Sequence, residues 1–403
     1  MDLNDLCCRS ISQIAPLIKD KSVSPVELTS AMLERIERID PDLHAYVHVG
    51  FVEALRAAKT AQAQILSGDY LGSLHGVPLG IKDIFDTVTM VTESGSTQLR
   101  GRTPEHNAHV VDRLDAAGAI MLGKQATAEF AFIGYPPDVA PAPVNPWASD
   151  RTPGMSSGGS AVAVAASLCF GAFGSDTGGS IRFPSAVNGI VGLKPTFGRI
   201  SRRGVHPFAT TLDHVGPLAR SVTDVGLLYQ AVAGHDGGDP FSAAAEVGDP
   251  LATISESVRG LRLGIDVRYF ETYAEPEVVQ ATLAAVTRLE EAGMVVVPVD
   301  LLEIPDVCHH WLAVAGSEAL QAYGRERFRQ NIGLFGKNVR ELLTVGDQTT
   351  ADDLLRAAAA RRRTNYFLNN QRPPGFARCK SWISVHLPVR QSRCPPCRQR
   401  PWS

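Results

Sequence analysis

The sequence predicts an α/β protein: a mixed β-sheet core sandwiched by helices. Three observations carry this. Short apolar runs of strand character alternate with stretches of helical spacing, as in Val77–Phe85, Ala108–Ala117 and Ala119–Leu122, and again in Leu261–Ile265, Glu277–Ala292 and Met294–Val299. Repetition of that kind builds layered, parallel or mixed sheets. The run Ala161–Leu168 is small and apolar all round, the pattern of a helix buried inside such layers. Finally, 403 residues with 44% hydrophobic side chains and a mean hydropathy of −0.02 suffice for a soluble globule with a large core.

The elements follow in order. Ser24-Pro25-Val26-Glu27 reads as a capping box with proline at the first helical position. Leu28, Met32, Ile36 and Ile39 continue at helical spacing, and Pro41 is expected to end that helix. A second helix is expected over Val52–Leu66, closed near Gly68, so that residues 1–70 read as an N-terminal helical segment. Residues 71–367 then read as the α/β core. Gly189–Leu193 is strand-like, Pro195–Gly204 is a turn-rich loop, Thr223–Val232 is helical, and Gly234–Pro240 is a flexible connection. Leu301–Phe367 reads as mostly helical. Residues 368–403 differ: they hold seven of the 39 Lys and Arg, none of the 42 Asp and Glu, and six of the 26 prolines. They read as an atypical, poorly ordered basic tail.

Composition excludes several function classes. A net charge of −3 gives no reason to expect nucleic acid or a membrane as partner. The start, MDLNDLCCRSIS, lacks a secretory pattern, and the longest apolar run, Ala161–Phe173, is too short for a bilayer, which needs about 20 residues. Seven cysteines without framework spacing predict free thiols and a cytoplasmic location. No metal is expected: Cys308, His309 and His310 are too compact a cluster, and Cys394-Pro-Pro-Cys397 has no second half. Neither glycine loop carries the ending of a phosphate-binding loop. His75, His106, His109, His206 and His214 sit in no triad motif.

The chemistry concentrates in Arg151–Arg203, where two glycine-serine loops, Gly154–Ser160 and Gly174–Ser180, flank the apolar run. Glycine clusters permit close backbone approach to a ligand, and serines within them are candidate nucleophiles. Ser180 follows Asp176-Thr177-Gly178-Gly179, whose amides, with that of Ser180, supply oxyanion donors if the loop curls around one point. Asp176 and Arg182 flank Ser180 and are expected to form an ion pair holding the loop. Upstream, Lys82 lies in the apolar segment GVPLGIKD. An ordinary lysine, pKa about 10.4, is protonated at pH 7, so only burial makes it a base. Asp83 opposes this unless its side chain points the other way, as strand alternation requires.

GVPLGIKD, PGMSSGGS and GSDTGGSIRFPSAVNGIVGLKPTFGRISRRG, in this order and spacing, resemble the amidase signature family of serine hydrolases, over about Ser24 to Phe367. The resemblance implies that family's α/β/α fold and hydrolysis of carboxylic acid amides without a cofactor. It implies Ser180 as nucleophile, Ser156 as the middle serine after a cis peptide bond, and Lys82 as base. Thr177, Gly178, Gly179 and Ser180 would form the oxyanion hole, with Ser157 supporting the loop. Met155 stands where the family has a small residue. The family continues beyond residue 367 with an aspartate-led strand and a segment packing on the sheet. This chain departs from it near Leu368, as an altered terminus or shifted reading frame would, which predicts an unpaired sheet edge.

Competing readings are a glutamine-hydrolysing amidotransferase component, an inactive altered homologue, and a G-x-S-x-G hydrolase with Ser156 as nucleophile. Phe183 stands where relatives of the amidotransferase kind carry glutamine, which favours a stand-alone enzyme acting on a small-molecule amide, as monomer or homodimer.

Overall fold

The computed structural model describes residues 3–136, 138–300 and 307–370. They form two compact units, one of the described residues up to 254 with 326–341, the other of those in 255–325 with 342–370. The single core expected over 71–367 is thus divided, and residues 1–70 fold with the first unit's sheet rather than as a separate helical segment.

That sheet has six strands: β1 (Tyr46–Val49), β2 (Pro78–Lys82), β3 (Ile120–Gln125), β4 (Gly171–Asp176), β5 (Val191–Gly192) and β6 (His214–Ala219). Their spatial order is β1-β3-β2-β4-β6-β5. β2 runs parallel to β3 and β4, while β1, β5 and β6 pair antiparallel with their neighbours, so the sheet is mixed as predicted. Every residue of β2 and β4 is buried, as in strands covered on both faces. The helix Gly158–Ala165 packs on β2, β4 and β6, and its seven leading residues are buried, which accounts for its lack of a polar face. Phe51–Ser67 covers β3 and packs on Pro25–Leu43.

Several boundaries moved for physical reasons. The helix Pro25–Leu43 runs through Pro41 and stops at His44, whose left-handed conformation lets its amide reach the Asp40 carbonyl at 2.8 Å. A proline in the last turn forfeits only one backbone bond, too little to stop a helix whose other face is buried. β1 and β6 are strands that local pattern did not reveal. β4 extends to Asp176, three residues into what reads locally as a glycine loop, because β6 pairs with it along its full length, Asp176 opposite His214.

In the second unit, β7 (Arg262–Ile265) and β8 (Val295–Pro298) pair in parallel around the crossover helix Pro276–Glu291. The helices Val307–Tyr323 and Ala351–Asn370 pack together. Among the described residues, β7 and β8 have no third strand and β5 pairs only with β6. The Cys394–Cys397 pair lies outside the described residues, as does residue 371 onward of the tail. Among the described residues, no helix is long and apolar enough to cross a membrane, and no cluster of His, Cys, Asp or Glu could hold a metal.

Candidate active site

Lys82 is the last residue of β2 and is fully buried. Its Nζ lies 2.8 Å from Ser156 Oγ, 2.8 Å from Ser175 Oγ and 3.1 Å from Ser157 Oγ. Among the described residues no carboxylate touches it. Burial pushes its pKa down to about 7, against the opposing pull of the Asp213 and Asp176 charges. Roughly half of such amines are neutral at pH 7. Asp83 does point away, as the pleat requires, and pairs with Lys124 at 3.3 Å. That second buried lysine also donates to the Phe85 carbonyl and Thr92 Oγ1, both at 2.6 Å.

Ser156 and Ser157 are both completely buried where the chain enters the helix Gly158–Ala165. The peptide bond preceding Ser156 is trans, since no cis bond occurs among the described residues, and this departs from the cis bond that the resemblance implies. A cis bond at a non-proline residue costs about 3 kcal/mol, and here Met155 and Ser156 meet their neighbours without it: the Met155 carbonyl accepts from Gly158 N at 2.9 Å and from Tyr135 Oη at 2.9 Å. Ser157 reaches across to β4, its Oγ donating to the Ser175 carbonyl at 3.1 Å and accepting from the Ser175 amide at 3.3 Å. The contact needs glycine at 174, where an added Cβ would stand 2.7 Å from Ser157 Oγ.

Beyond β4 the chain curls around one carboxylate. Asp176, 1% exposed, accepts from the amides of Gly179 (2.8 Å), Ile181 (3.2 Å) and Arg182 (3.4 Å) and from Arg182 Nε and Nη2, both at 2.9 Å. The expected ion pair therefore exists and is the hub of the loop. Burial alone would raise the Asp176 pKa, but Arg182 and the amides together hold it below the usual range. The turn requires Gly179, whose φ is +121°. Its amide is committed to Asp176 and so is not an oxyanion donor in this conformation. Among the described residues, the amides of Gly178 and Ser180 donate to no protein acceptor. Thr177 is fixed through its side chain, its Oγ1 donating to Asp213 at 2.6 Å.

The structure thus brings Lys82, Ser156 and Ser157 into contact and sets the 177–180 loop next to them along β4. Ser180 is 5% exposed, and its hydroxyl bonds to neither Ser156 nor Lys82 among the described residues. Three groups escaped the sequence reading. Ser175 was hidden by taking Gly174–Ser180 as a loop; Lys124 by ending its strand at Leu122; and Asp213 by leaving β6 unrecognised. A serine at the end of an otherwise buried stretch, and a lysine continuing an apolar strand, were the signals present for the first two.

Comparison with known proteins bears on the family of the chain. A profile of the Amidase family matches residues 27–372. "Putative amidase AmiD" of Mycobacterium tuberculosis is 45% identical over 284 residues, 70% of this chain and 59% of the relative. A glutamyl-tRNA(Gln) amidotransferase component of Nitrosococcus oceani is 42% identical over 325 residues, 79% of this chain and 67% of that protein. The native peptide amidase of Stenotrophomonas maltophilia superimposes with a TM-score of 0.77 at 32% identity, covering 88% of this chain and 79% of that one. The chain spans only about three fifths of the mycobacterial relative, but the profile match contains every residue of the site: it belongs to the Amidase family.

Proposed function

We propose that the chain hydrolyses a carboxylic acid amide through a Ser180 acyl-enzyme, with Ser156 and neutral Lys82 passing the proton. The observation that carries this reading is the buried Lys82 amine, pKa about 7, held 2.8 Å from the Ser156 hydroxyl. A base poised near neutral pH beside a hydroxyl is what general-base catalysis requires.

Counting leaves one of the three hydroxyls to donate to the neutral amine. A neutral amine has two N–H donors and one lone pair, and Lys82 meets three hydroxyls. Ser157 spends its proton on the Ser175 carbonyl, so it faces Lys82 as an acceptor. With Ser175 as the second acceptor, the lone pair is left for the Ser156 proton. Ser156 can then take the proton of Ser180 as that oxygen attacks the amide carbonyl carbon. The Gly178 and Ser180 amides receive the oxyanion, and Thr177 keeps their loop tied to Asp213. Collapse breaks the C–N bond as the proton returns through Ser156 to the leaving nitrogen. Water then repeats the sequence on the ester, releasing the carboxylate and restoring Ser180. The relay requires the Ser180 and Ser156 hydroxyls to come within hydrogen-bond reach on substrate entry; catalytic contacts often tighten only in the complex.

A stand-alone enzyme is preferred to an amidotransferase component because Phe183 follows the Ser180-Ile181-Arg182 triplet. Cys7, Cys8, Cys169 and Cys308 are free thiols, which supports the cytoplasm as the place of action. The test is ammonia release from a panel of simple amides, with fluorophosphonate labelling in parallel. Ser180→Ala should abolish labelling and lower turnover by more than about 10³-fold. Turnover or labelling that persists in that variant overturns the mechanism.

A further inference from the structure

A cavity of about 220 Å³ shares a wall with the lysine cluster. Ser175, whose hydroxyl touches Lys82, lines it, and so does Asp213, which holds Thr177 of the oxyanion loop. Most of its surface is apolar: Val205, Pro207, Phe208, Pro240 and Phe241. The last two belong to the Gly234–Pro240 connection and its continuation. That segment is not slack: Asp236 accepts from Ser201 Oγ (2.6 Å), Arg203 Nε (2.9 Å) and Gly238 N (2.9 Å).

Most polar atoms of the charged groups on the wall already have partners. Arg202 lies between the Phe197 and Phe241 rings, 4.9 and 4.7 Å from their centroids, with Asp239 at 3.8 Å. Asp239 accepts from the Arg202 and Phe241 amides, at 2.8 and 2.9 Å. Arg203 is taken by Asp236 and His109, both at 2.9 Å. Asp213 accepts from Thr177 and from the amides of Phe208 and Ala209. His206 and His214, pushed down to about 4 chiefly by desolvation, are uncharged at neutral pH. Both guanidinium groups thus have a carboxylate beside them and Asp213 has three neutral donors, so beyond Arg202 Nε, which has no hydrogen-bond partner, the wall offers a charged ligand little. A flat apolar group would find aromatic and proline surfaces, and apolar cavities of about 150 Å³ already accept a benzene ring.

We propose that this cavity is the specificity pocket of the site and takes the aromatic substituent of an uncharged amide. The assignment rests on the hydrolase reading for its purpose but not for its test. Equilibrium binding of benzamide and acetamide is measured on the Ser180→Ala protein, where no turnover occurs. Benzamide should bind about tenfold or more tightly, from burial of its ring. Thr210→Trp in that background, which drives an indole into the cavity, should erase the difference. Phe241→Ala, at a residue 40% exposed, should reduce it about threefold or more, with a denaturant melt to show that the protein remains folded. Equal binding of the two amides, or a preference that both substitutions leave intact in folded protein, overturns the proposal. Fluorophosphonate labelling of the unsubstituted protein separates the two readings. Labelling without an aromatic preference refutes the pocket alone, and a preference without labelling refutes the hydrolase mechanism alone.

Discussion

Replacing Asp176 by asparagine tests whether one carboxylate organises the loop that follows β4. Five donors converge on it, two of them from the Arg182 guanidinium. Charged hydrogen bonds are each worth about 1.5–3 kcal/mol, but adding five of them overshoots, because the unfolded chain regains water at every group. Breaking a buried pair costs about 3–5 kcal/mol, since it strands the remaining charge. Arg182 is 24% exposed and can recover part of its hydration, which brings the expected loss down to about 3 kcal/mol. Asparagine conserves the shape, so no cavity term adds. The assay is urea denaturation of Asp176→Asn, Arg182→Gln and the double variant. A coupling energy of about 2 kcal/mol is expected between the two positions. The folded pKa of Asp176 is depressed, so its contribution is complete above the unfolded value of about 3.9 and disappears as pH falls through the lower folded value. Asp176→Asn should accordingly flatten the acid side of the stability profile. A coupling within about 0.5 kcal/mol of zero would show that the loop is held by something else.

Other outcomes follow from the same contacts. Since Lys82 must be neutral, kcat/KM should fall about tenfold per pH unit below about pH 7 and level off above it; a profile flat down to pH 5 would rule out this lysine as the base. Ser175→Ala removes an acceptor that favours the lysine cation, so the acid limb should move to lower pH while kcat drops about tenfold, with Ser175→Thr restoring both; an unmoved limb would mean that Ser175 does not touch the working amine. Lys124→Met strands Asp83, whose carboxyl is 3% exposed, and should cost about 3–5 kcal/mol in denaturant melts; a loss under about 1 kcal/mol would remove Lys124 from the supports of β2.

The strand-helix alternation, the capping box at Ser24 and the burial of Ala161–Leu168 depend on local pattern, and each was legible before any coordinates. Lys82, Ser156 and Ser180 were singled out as candidates because motifs keep such residues at recognisable spacings, and of these the fold sets Lys82 against Ser156. The Asp176–Arg182 pair was legible for the same reason: six residues apart in a tight turn, the two have few other partners. Tertiary structure decided the rest. β1 and β6 exist because β3 and β4 offer them hydrogen bonds, not because their own residues demand strand, and without β6 neither Asp213 nor the cavity has a place. Ser175 became part of the lysine cluster only when pairing with β6 drew the supposed loop into β4. The Gly179 amide went to Asp176 because the turn aims it there. The lowered pKa of Lys82 likewise belongs to the fold: a lysine followed by aspartate reads as a surface pair, and only complete burial of the amine, with Asp83 turned toward Lys124, brings it to about 7. Periodicity reports which residues leave water; which of them then meet, and in what protonation state, depends on contacts between segments far apart in the chain.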